Sequence, residues 1–436
     1  MNVLLIAYNN GDYIHHFPLG LGYLAAMLEK NGHLVDVYSQ DLHRWPDDHL
    51  TGFLDKRKYD AVGVGVCAGY YQYRRLLSIS KAVRAAKRHH HFVIGGQGPS
   101  AAPEYFQKIT DADAVVVGEV EGVDIFENGI LHGDPVNDVD TIPYPARHLF
   151  PMHYYKLLRH QNASQDDSVF AVLSGRGCPY RCTFCYRMAP GFRPRKTECI
   201  MDEIEELRRD YGATFINFYD ELLMTSEKRL VGFCAEIKKH GVRWACSGRL
   251  NLATPRVLAL MKDAGCVFIN YGIEALDDEV LRLMRKQLTV KQIIEGVEAT
   301  LAVGISPGLN VIFGNVGDTE QTLFKAVKFL MKYDDGAQMR TIRPVTPYPG
   351  CELYDRAIQE GKLKNAADFY ENKHVNSDLL SVNFTDMTDY AFHNALFVAN
   401  RVLLQNYHRR KGDEAIAAAE DLYVHRNADF RGFRQT

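Results

Sequence analysis

Short apolar runs alternate with segments of helical period over the first third of the chain. Residues 2–7, 33–39, 60–66, 91–94 and 113–117 are continuous runs rich in Val, Ile and Leu, the pattern of parallel strands buried on both faces. Between them, "PLGLGYLAAMLEKNG" and "YQYRRLLSISKAVRAAKRHHH" space their apolar residues as a helix does, and the first stops at Asn-Gly, as a helix C-terminus should. This alternation predicts a doubly wound α/β domain over residues 1–130, with its ligand crevice at the carboxyl ends of the strands.

A Pro-punctuated polar connector follows at 131–167, containing "DTIPYPARHLFP" and "RHQNASQDD", and reads as a linker laid over the surface. Strand runs resume at 169–174, 214–219, 243–247, 267–271, 308–313 and 339–344, separated by helical segments such as "MDEIEELRRDYG", "SEKRLVGFCAEIKKHG" and "EQTLFKAVKFLMKY". Such units predict a partial (βα)6 barrel of the TIM type over 168–350, again with its chemistry at the carboxyl ends. Residues 351–436 read as a mainly helical tail, clearest in "DYAFHNALFVANRVLLQNYHRR" and "DEAIAAAEDLYVHR".

Composition excludes several classes of partner. At 436 residues, 46% apolar and 24% charged, the chain is a globular protein long enough for more than one core. A formal net charge of −3, with Lys and Arg scattered, lacks the electrostatic footprint of a nucleic-acid or anionic-membrane binder. The opening "MNVLLIAYNNGDY" has no basic flank and stops at Asn-Asn-Gly-Asp, so it reads as a strand and not a signal peptide. No apolar run reaches bilayer-spanning length, so a cytoplasmic protein with mostly reduced cysteines is expected. In that setting "RHHH" and "NAS" read as a charged helix end and a polar loop, not as a zinc tract and a glycosylation site.

Glycine gathers where the first strands end, in "GVGVCAG" (63–69), "GGQGPS" (95–100) and "GEVEG" (118–122). Glycine lets backbone approach a ligand closely, and several such loops on one edge suit a large, flat one. In the barrel region, "SGRGCPYRCTFCYR" sets Cys178, Cys182 and Cys185 directly after the first strand. A structural zinc site wants four ligands, usually as two pairs, and Cys67, Cys199, Cys234, Cys246, Cys266 and Cys351 form no second pair. Three thiolates can instead hold three irons of a cubane cluster and leave the fourth open to an outside ligand.

The run "CPYRCTFC" resembles the cluster signature of the radical S-adenosylmethionine (SAM) enzymes, in which C-x3-C-x2-C holds a [4Fe-4S] cluster and an aromatic, here Phe184, precedes the last cysteine. The resemblance implies that the open iron chelates SAM and that reductive cleavage releases a 5′-deoxyadenosyl radical. It also implies SAM contacts at the strand ends: Tyr219, Asp220 and Glu221 in "NFYDELL", Ser247 and Arg249 in "WACSGRLN", Glu274 in "YGIEALDD", and Asn310 in "NVIFGNVGDT".

The preceding domain, with "IPYPARHLFP" between the two, resembles the Rossmann-like cobalamin-binding domain of B12-dependent radical SAM proteins. That resemblance implies cobalamin contacts from Pro18, Leu19, Gly20, Gly65, Cys67, Gly95, Gly96, Gly118 and Glu119. One departure matters: the D-x-H-x-x-G run that supplies a cobalt-binding histidine is missing from "AYNNGDYIHHFPLG". "DLHRWP" follows the wrong strand, and His15, His16 and His43 are not expected to bind cobalt. Base-off cobalamin is expected, its lower face approached by Tyr70, Tyr71 and Gln72.

The resemblance implies a C-methyltransferase of the class B kind, which takes hydrogen from an unactivated carbon and delivers methyl from methylcobalamin. An electron donor of flavodoxin or ferredoxin type is implied as partner. A peptide or protein side chain is one expected substrate, as in enzymes that methylate methyl-coenzyme M reductase; a natural-product scaffold or a tetrapyrrole is another. Tyr348 in "PVTPYPGCELY" is a candidate neighbour of the radical site. Alternatives are a B12-dependent cyclase or rearrangement enzyme, and a non-catalytic cobalamin or redox sensor. A methylthiotransferase would need three further N-terminal cysteines, where only Cys67 stands.

Overall fold

The computed structural model describes residues 1–11, 16–158, 160 and 162–427. Its first sheet holds β1 (Asn2–Ala7), β2 (Leu34–Ser39), β3 (Ala61–Gly65), β4 (His91–Gly95), β5 (Ala114–Gly118) and β6 (Gly129–Gly133), in the order β2-β1-β3-β4-β5-β6. All neighbours are parallel. Helices cover both faces: Val3 and Leu5 point into one core, Leu4 and Ile6 into the other, which is why the strand reads as an unbroken apolar run. The order reverses between β1 and β3, the switch point at which doubly wound sheets open a crevice.

The sixth strand, "GILHG", went unanticipated and lies across the expected boundary at 130. It packs so closely on β5 that a Cβ on Gly133 would stand 1.7 Å from the Glu119 carbonyl oxygen.

The second sheet is the expected half-barrel. Strands β7 (Val169–Val172), β10 (Phe215–Phe218), β11 (Arg243–Gly248), β12 (Cys266–Glu274), β13 (Ser306–Phe313) and β14 (Arg343–Pro344) lie side by side in chain order, all parallel. Between β7 and β10 the chain makes an antiparallel hairpin, β8 (Gly175–Cys178) with β9 (Gly191–Pro194), which the sequence reading missed. The last strand is shorter than expected: Ile342, just before it, pairs its backbone N and O with the Asn400 side chain at 2.8 and 2.9 Å, and Arg340 donates to Asp334 Oδ1 and the Pro307 carbonyl oxygen, each at 2.7 Å.

The connector is not laid over the surface throughout. Arg147 is 2% exposed and donates to Glu203 Oε1 at 2.6 Å, while Arg195 donates to Glu203 Oε2 at 2.5 Å, a buried triad between connector, β9 and the helix Thr197–Tyr211. The two clearest helical stretches of the tail lie in one continuous helix, Asp389–Tyr423, packed on the barrel through Phe392, Leu396, Ala399 and Leu403. Before it, the π-helical turn Asp368–Lys373 buries Phe369 and Tyr370 against the first domain, with the Tyr370 and Tyr73 rings stacked at 4.8 Å. Among the described residues no helix is long and apolar enough to cross a membrane.

Candidate functional site

The β8–β9 hairpin carries the cysteine loop. Cys178 ends β8 and Cys182 and Cys185 follow in the loop. Gly177, at φ 86°, is required: an added Cβ would stand 2.4 Å from the Gly191 carbonyl oxygen. Thr183 N donates to Met284 O at 3.1 Å and Leu353 N donates to Thr183 O at 2.9 Å, pinning the loop to barrel and tail.

Burial, then the neighbouring Cys182 and Glu221, push the Cys185 thiol up to about 12; burial, then the same two neighbours, raise Cys178. Thiols that resist ionising together suit a cationic centre, beside which coordinating thiols deprotonate outright. Among the described residues no three His, Cys, Asp or Glu groups are drawn together tightly enough for one metal ion. Three thiols around a loop are the donor set of a multi-iron cluster with one open iron.

Arg249 follows β11 directly. It is 5% exposed, its guanidinium lies 3.6 Å over the Tyr180 ring, and its buried Nε and Nη2 have no hydrogen-bond partner. Burying an unpaired cation is costly, so the group is aimed at an anion that the protein does not supply. The carboxylate of SAM fits it.

Glu274 lies beyond a bulge in β12, at φ 68°, with Oε1 held by Lys286 Nζ at 2.9 Å. Lys286 was not anticipated; nothing in "LMRKQ" separates it from a solvated helix end. Asp220, expected at SAM, spends both carboxylate oxygens on Ser174, accepting from its N at 3.0 Å and from its Oγ at 2.8 Å. Burial raises its pKa, and the carboxyl braces β7 against β10. Glu221 stands by the thiols, its carboxyl raised by burial and then by Asp220. Phe184 packs at the junction of the two main cores.

The half-barrel holds an open cavity of about 620 Å³ lined by Asn217, Tyr219, Ser247, Asn270, Asn310 and Gln338 among others. Its floor is apolar: Val169, Phe215, Ala245 and Phe268 form one cluster, with the His160 ring 5.1 Å from both Phe215 and Phe268. Above the floor runs a ring of uncharged polar groups, Asn217, Ser247, Asn270 and Asn310, with Asn310 Nδ2 donating to Asn270 Oδ1 at 2.6 Å. Arg249 and Glu274 stand at the carboxyl ends of β11 and β12 and do not themselves line this cavity. From the first domain His16 reaches into this cavity, edge-on to Tyr219 at 4.8 Å, and so points to the barrel rather than to the crevice at β1 and β3.

In the first domain, Pro18, Leu19 and Gly20 start the helix after β1; Gly65 and Cys67 end β3; Tyr70, Tyr71 and Gln72 open the next helix; Gly95, Gly96, Gly118 and Glu119 end β4 and β5. All share the carboxyl edge of one sheet. Gln72 Nε2 donates to Asn10 Oδ1 at 2.7 Å, tying the loops across the switch point. Gly96 has a backbone reason of its own, since a Cβ there would stand 2.4 Å from the Val66 carbonyl oxygen. Glu119 is committed elsewhere: Arg193 and Val136 N donate to its carboxylate. His43 stacks on Trp45 at 4.1 Å, and Asp41 accepts from Tyr155, so "DLHRWP" is packing. His15 lies outside the described residues. Tyr348 meets His374 across 3.4 Å and packs on Phe369, walling the first domain from the tail rather than facing the cavity.

A three-thiol loop on a parallel half-barrel, with an orphaned cation at its mouth and a doubly wound domain set before it, defines a cobalamin-dependent radical SAM protein. Comparison with known proteins agrees. Residues 172–330 match the radical SAM superfamily model and residues 10–125 the B12 binding domain model, and the chain belongs to the radical SAM proteins that carry both. The cofactors of this pair of domains are the [4Fe-4S] cluster, SAM and cobalamin.

An uncharacterised methyltransferase of Pyrococcus horikoshii is 28% identical over 79% of this chain and 79% of its own length. An anaerobic magnesium-protoporphyrin IX monomethyl ester cyclase of Rubrivivax gelatinosus is 26% identical over 77% of this chain and 65% of its own. The radical SAM methyltransferase TsrM of Kitasatospora setae, solved with cobalamin and a [4Fe-4S] cluster, shares the fold at a TM-score of 0.68 and 17% identity, over 92% of this chain and 88% of that one.

Proposed function

We propose that the protein is a cobalamin-dependent radical SAM C-methyltransferase whose substrate presents a neutral, hydrogen-bonding group to the barrel. The observation that carries the reading is Arg249, a buried guanidinium with two unpartnered nitrogens beside the cysteine loop. When bound, the cluster and SAM supply a hydrogen-abstracting radical and cobalamin supplies the methyl group.

Cys178, Cys182 and Cys185 hold the cluster. Arg249 takes the SAM carboxylate as a charge-assisted pair. Glu274, fixed by Lys286, is placed for the ribose and Asn310 for the adenine. Tyr219 and Ser247 complete the mouth. Cobalamin would be held along the carboxyl edge of the first sheet, by the loops that carry Pro18, Leu19, Gly20, Gly65, Cys67, Gly95, Gly96 and Gly118, with Tyr70, Tyr71 and Gln72 beside them. The amides of Asn217 and Asn270 orient the substrate, and the aromatic floor closes the cavity against water. A peptide side chain or a small polar molecule suits that ring better than an apolar polycycle. A flavodoxin- or ferredoxin-type donor delivers the electron.

The cyclase relative supports a second reading, ring formation without methyl transfer. Anaerobic turnover with SAM, a strong reductant and candidate substrates separates the two. S-adenosylhomocysteine and 5′-deoxyadenosine in equal yield, with one methylene added to the substrate, is the methyltransferase outcome; 5′-deoxyadenosine with no S-adenosylhomocysteine is the cyclase outcome.

A further inference from the structure

The hairpin that presents Cys178 has a charge problem. Arg176 on β8 and Arg193 on β9 are register partners, two guanidiniums facing each other across an antiparallel pair. Like charges directly opposite destabilise such a pair. Nothing in the hairpin offsets them.

The offset comes from the other domain, out of the loop that ends β5. Glu119 Oε2 lies 3.3 Å from Arg176 Nη1 and accepts from Arg193 Nη1 at 2.9 Å; Glu121 Oε1 accepts from Arg176 Nη2 at 2.5 Å. Val136, just past β6, joins in: its N donates to Glu119 Oε2 at 2.8 Å and its carbonyl oxygen accepts from Arg193 Nη1 at 2.7 Å. The four charged side chains are between 6% and 17% exposed and their formal charges cancel. Gly118, at φ 86°, is locked against the Gly133 carbonyl oxygen, 2.5 Å from where its Cβ would be, so the loop is a rigid mount.

We infer that Glu119, Glu121, Arg176 and Arg193 are positioning residues that couple the two cofactor sites: a ligand seated on the loop after β5 fixes the hairpin, and through it the cysteines. The inference rests on cobalamin binding along that edge. Arg176 stands two residues from Cys178, so the lever is short. Glu119, whose place in the sequence suggested a cobalamin contact, instead faces the cluster hairpin.

The test is the rate at which a ferrous chelator strips iron from the reconstituted protein, with and without saturating hydroxocobalamin. Inter-site coupling typically amounts to about fivefold or more in affinity, and cobalamin is expected to slow iron loss from the wild type by at least that factor. In Arg193→Met the cluster assembles and hydroxocobalamin binds by its absorbance, yet the ratio falls to about one; Arg193→Lys keeps part of it. Simple shielding of the cluster by cobalamin would leave Arg193→Met like the wild type and overturn the inference, as would a wild-type ratio of one. If Arg193→Met does not fold, Glu121→Gln, which frees only Arg176, must lower the ratio. A wild type that binds no hydroxocobalamin sinks the cobalamin reading itself, an outcome distinct from a failed clamp.

Discussion

Replacing Arg249 by Met separates a ligand-binding cation from a structural one by the signs of two effects. In the free protein the guanidinium stacks on Tyr180 but leaves Nε and Nη2 buried and unpaired. An unsatisfied buried donor costs about 1–3 kcal/mol, and stacking returns about 1–2 kcal/mol. Methionine keeps the length and the apolar contact and removes the orphans. Unfolding of the cluster-free protein should therefore be unchanged or shifted up by roughly 1–2 kcal/mol, a few degrees in Tm. SAM binding moves the opposite way. Loss of a bidentate charge-assisted pair of about 3 kcal/mol weakens it by roughly a hundredfold. Thermal unfolding and equilibrium dialysis of SAM on the reconstituted protein read the two effects. A variant that melts several degrees lower and binds SAM as before would refute the reasoning and make Arg249 a core residue.

Changing any one of Cys178, Cys182 or Cys185 to Ala should abolish the brown chromophore and most of the bound iron on anaerobic reconstitution, whereas Cys234→Ala, buried in the barrel core, should retain both. Glu203→Ala leaves Arg147 and Arg195 buried without their carboxylate and should cost about 3–5 kcal/mol, roughly 3–6 °C in Tm for a chain of this length; a shift under about 1 °C would show the triad to be solvated. Lys286→Met frees Glu274 and should weaken SAM binding while the cluster content holds, measured by dialysis and iron assay. Burial pushes Asp318, in the loop after β13, up to about 6. Its pKa is raised on folding, so its contribution is fully present below 3.8 and lost as pH rises to about 6, a change of roughly 3 kcal/mol. Urea unfolding of wild type against Asp318→Asn should show the wild type losing ground between pH 4 and 6; a flat difference contradicts the burial argument.

Most of the framework was legible because it rests on local pattern. The five expected strands of the first sheet and most of the barrel came from runs buried on both faces, and the cysteine loop from spacing alone. What escaped depends on partners distant in sequence. Strand β6 is five residues with a glycine at each end, and it is a strand through its register with β5, from Ala114 opposite Gly129 to Gly118 opposite Gly133. The β8–β9 hairpin, spanning Gly175–Cys178 and Gly191–Pro194, is too short and too charged to look like one. Asp220 and Glu119 sit where strand-end ligands belong, but Ser174 in one case and Arg193 in the other had already claimed their oxygens. The same arithmetic hid Arg147: a basic residue in a Pro-rich connector reads as exposed until Glu203, 56 positions away, is known to be its partner.

These commitments divide the work of the site. Carboxylates that bond inward, Asp220 on Ser174 and Glu119 on Arg193, stiffen the frame and are spent. Groups at the barrel mouth with capacity left over, above all Arg249, are those that can discriminate a ligand, because only an unsatisfied group gains by meeting one. The uncharged ring below them follows the same logic at lower strength. Asn310 Nδ2 donates to Asn270 Oδ1 and to the Tyr271 carbonyl oxygen, which spends both its donors and leaves its Oδ1 for a ligand, while the Asn270 amide has positions beyond that contact. A hydrocarbon lodged there would strand those amides at a cost of about 1–3 kcal/mol apiece, whereas a hydroxyl or carboxamide would not. On the proposed function, the layering of the lumen, apolar below, amide in the middle and charged above, sets the substrate's contacts with Asn217 and Asn270 beside those of SAM with Arg249, Glu274 and Asn310.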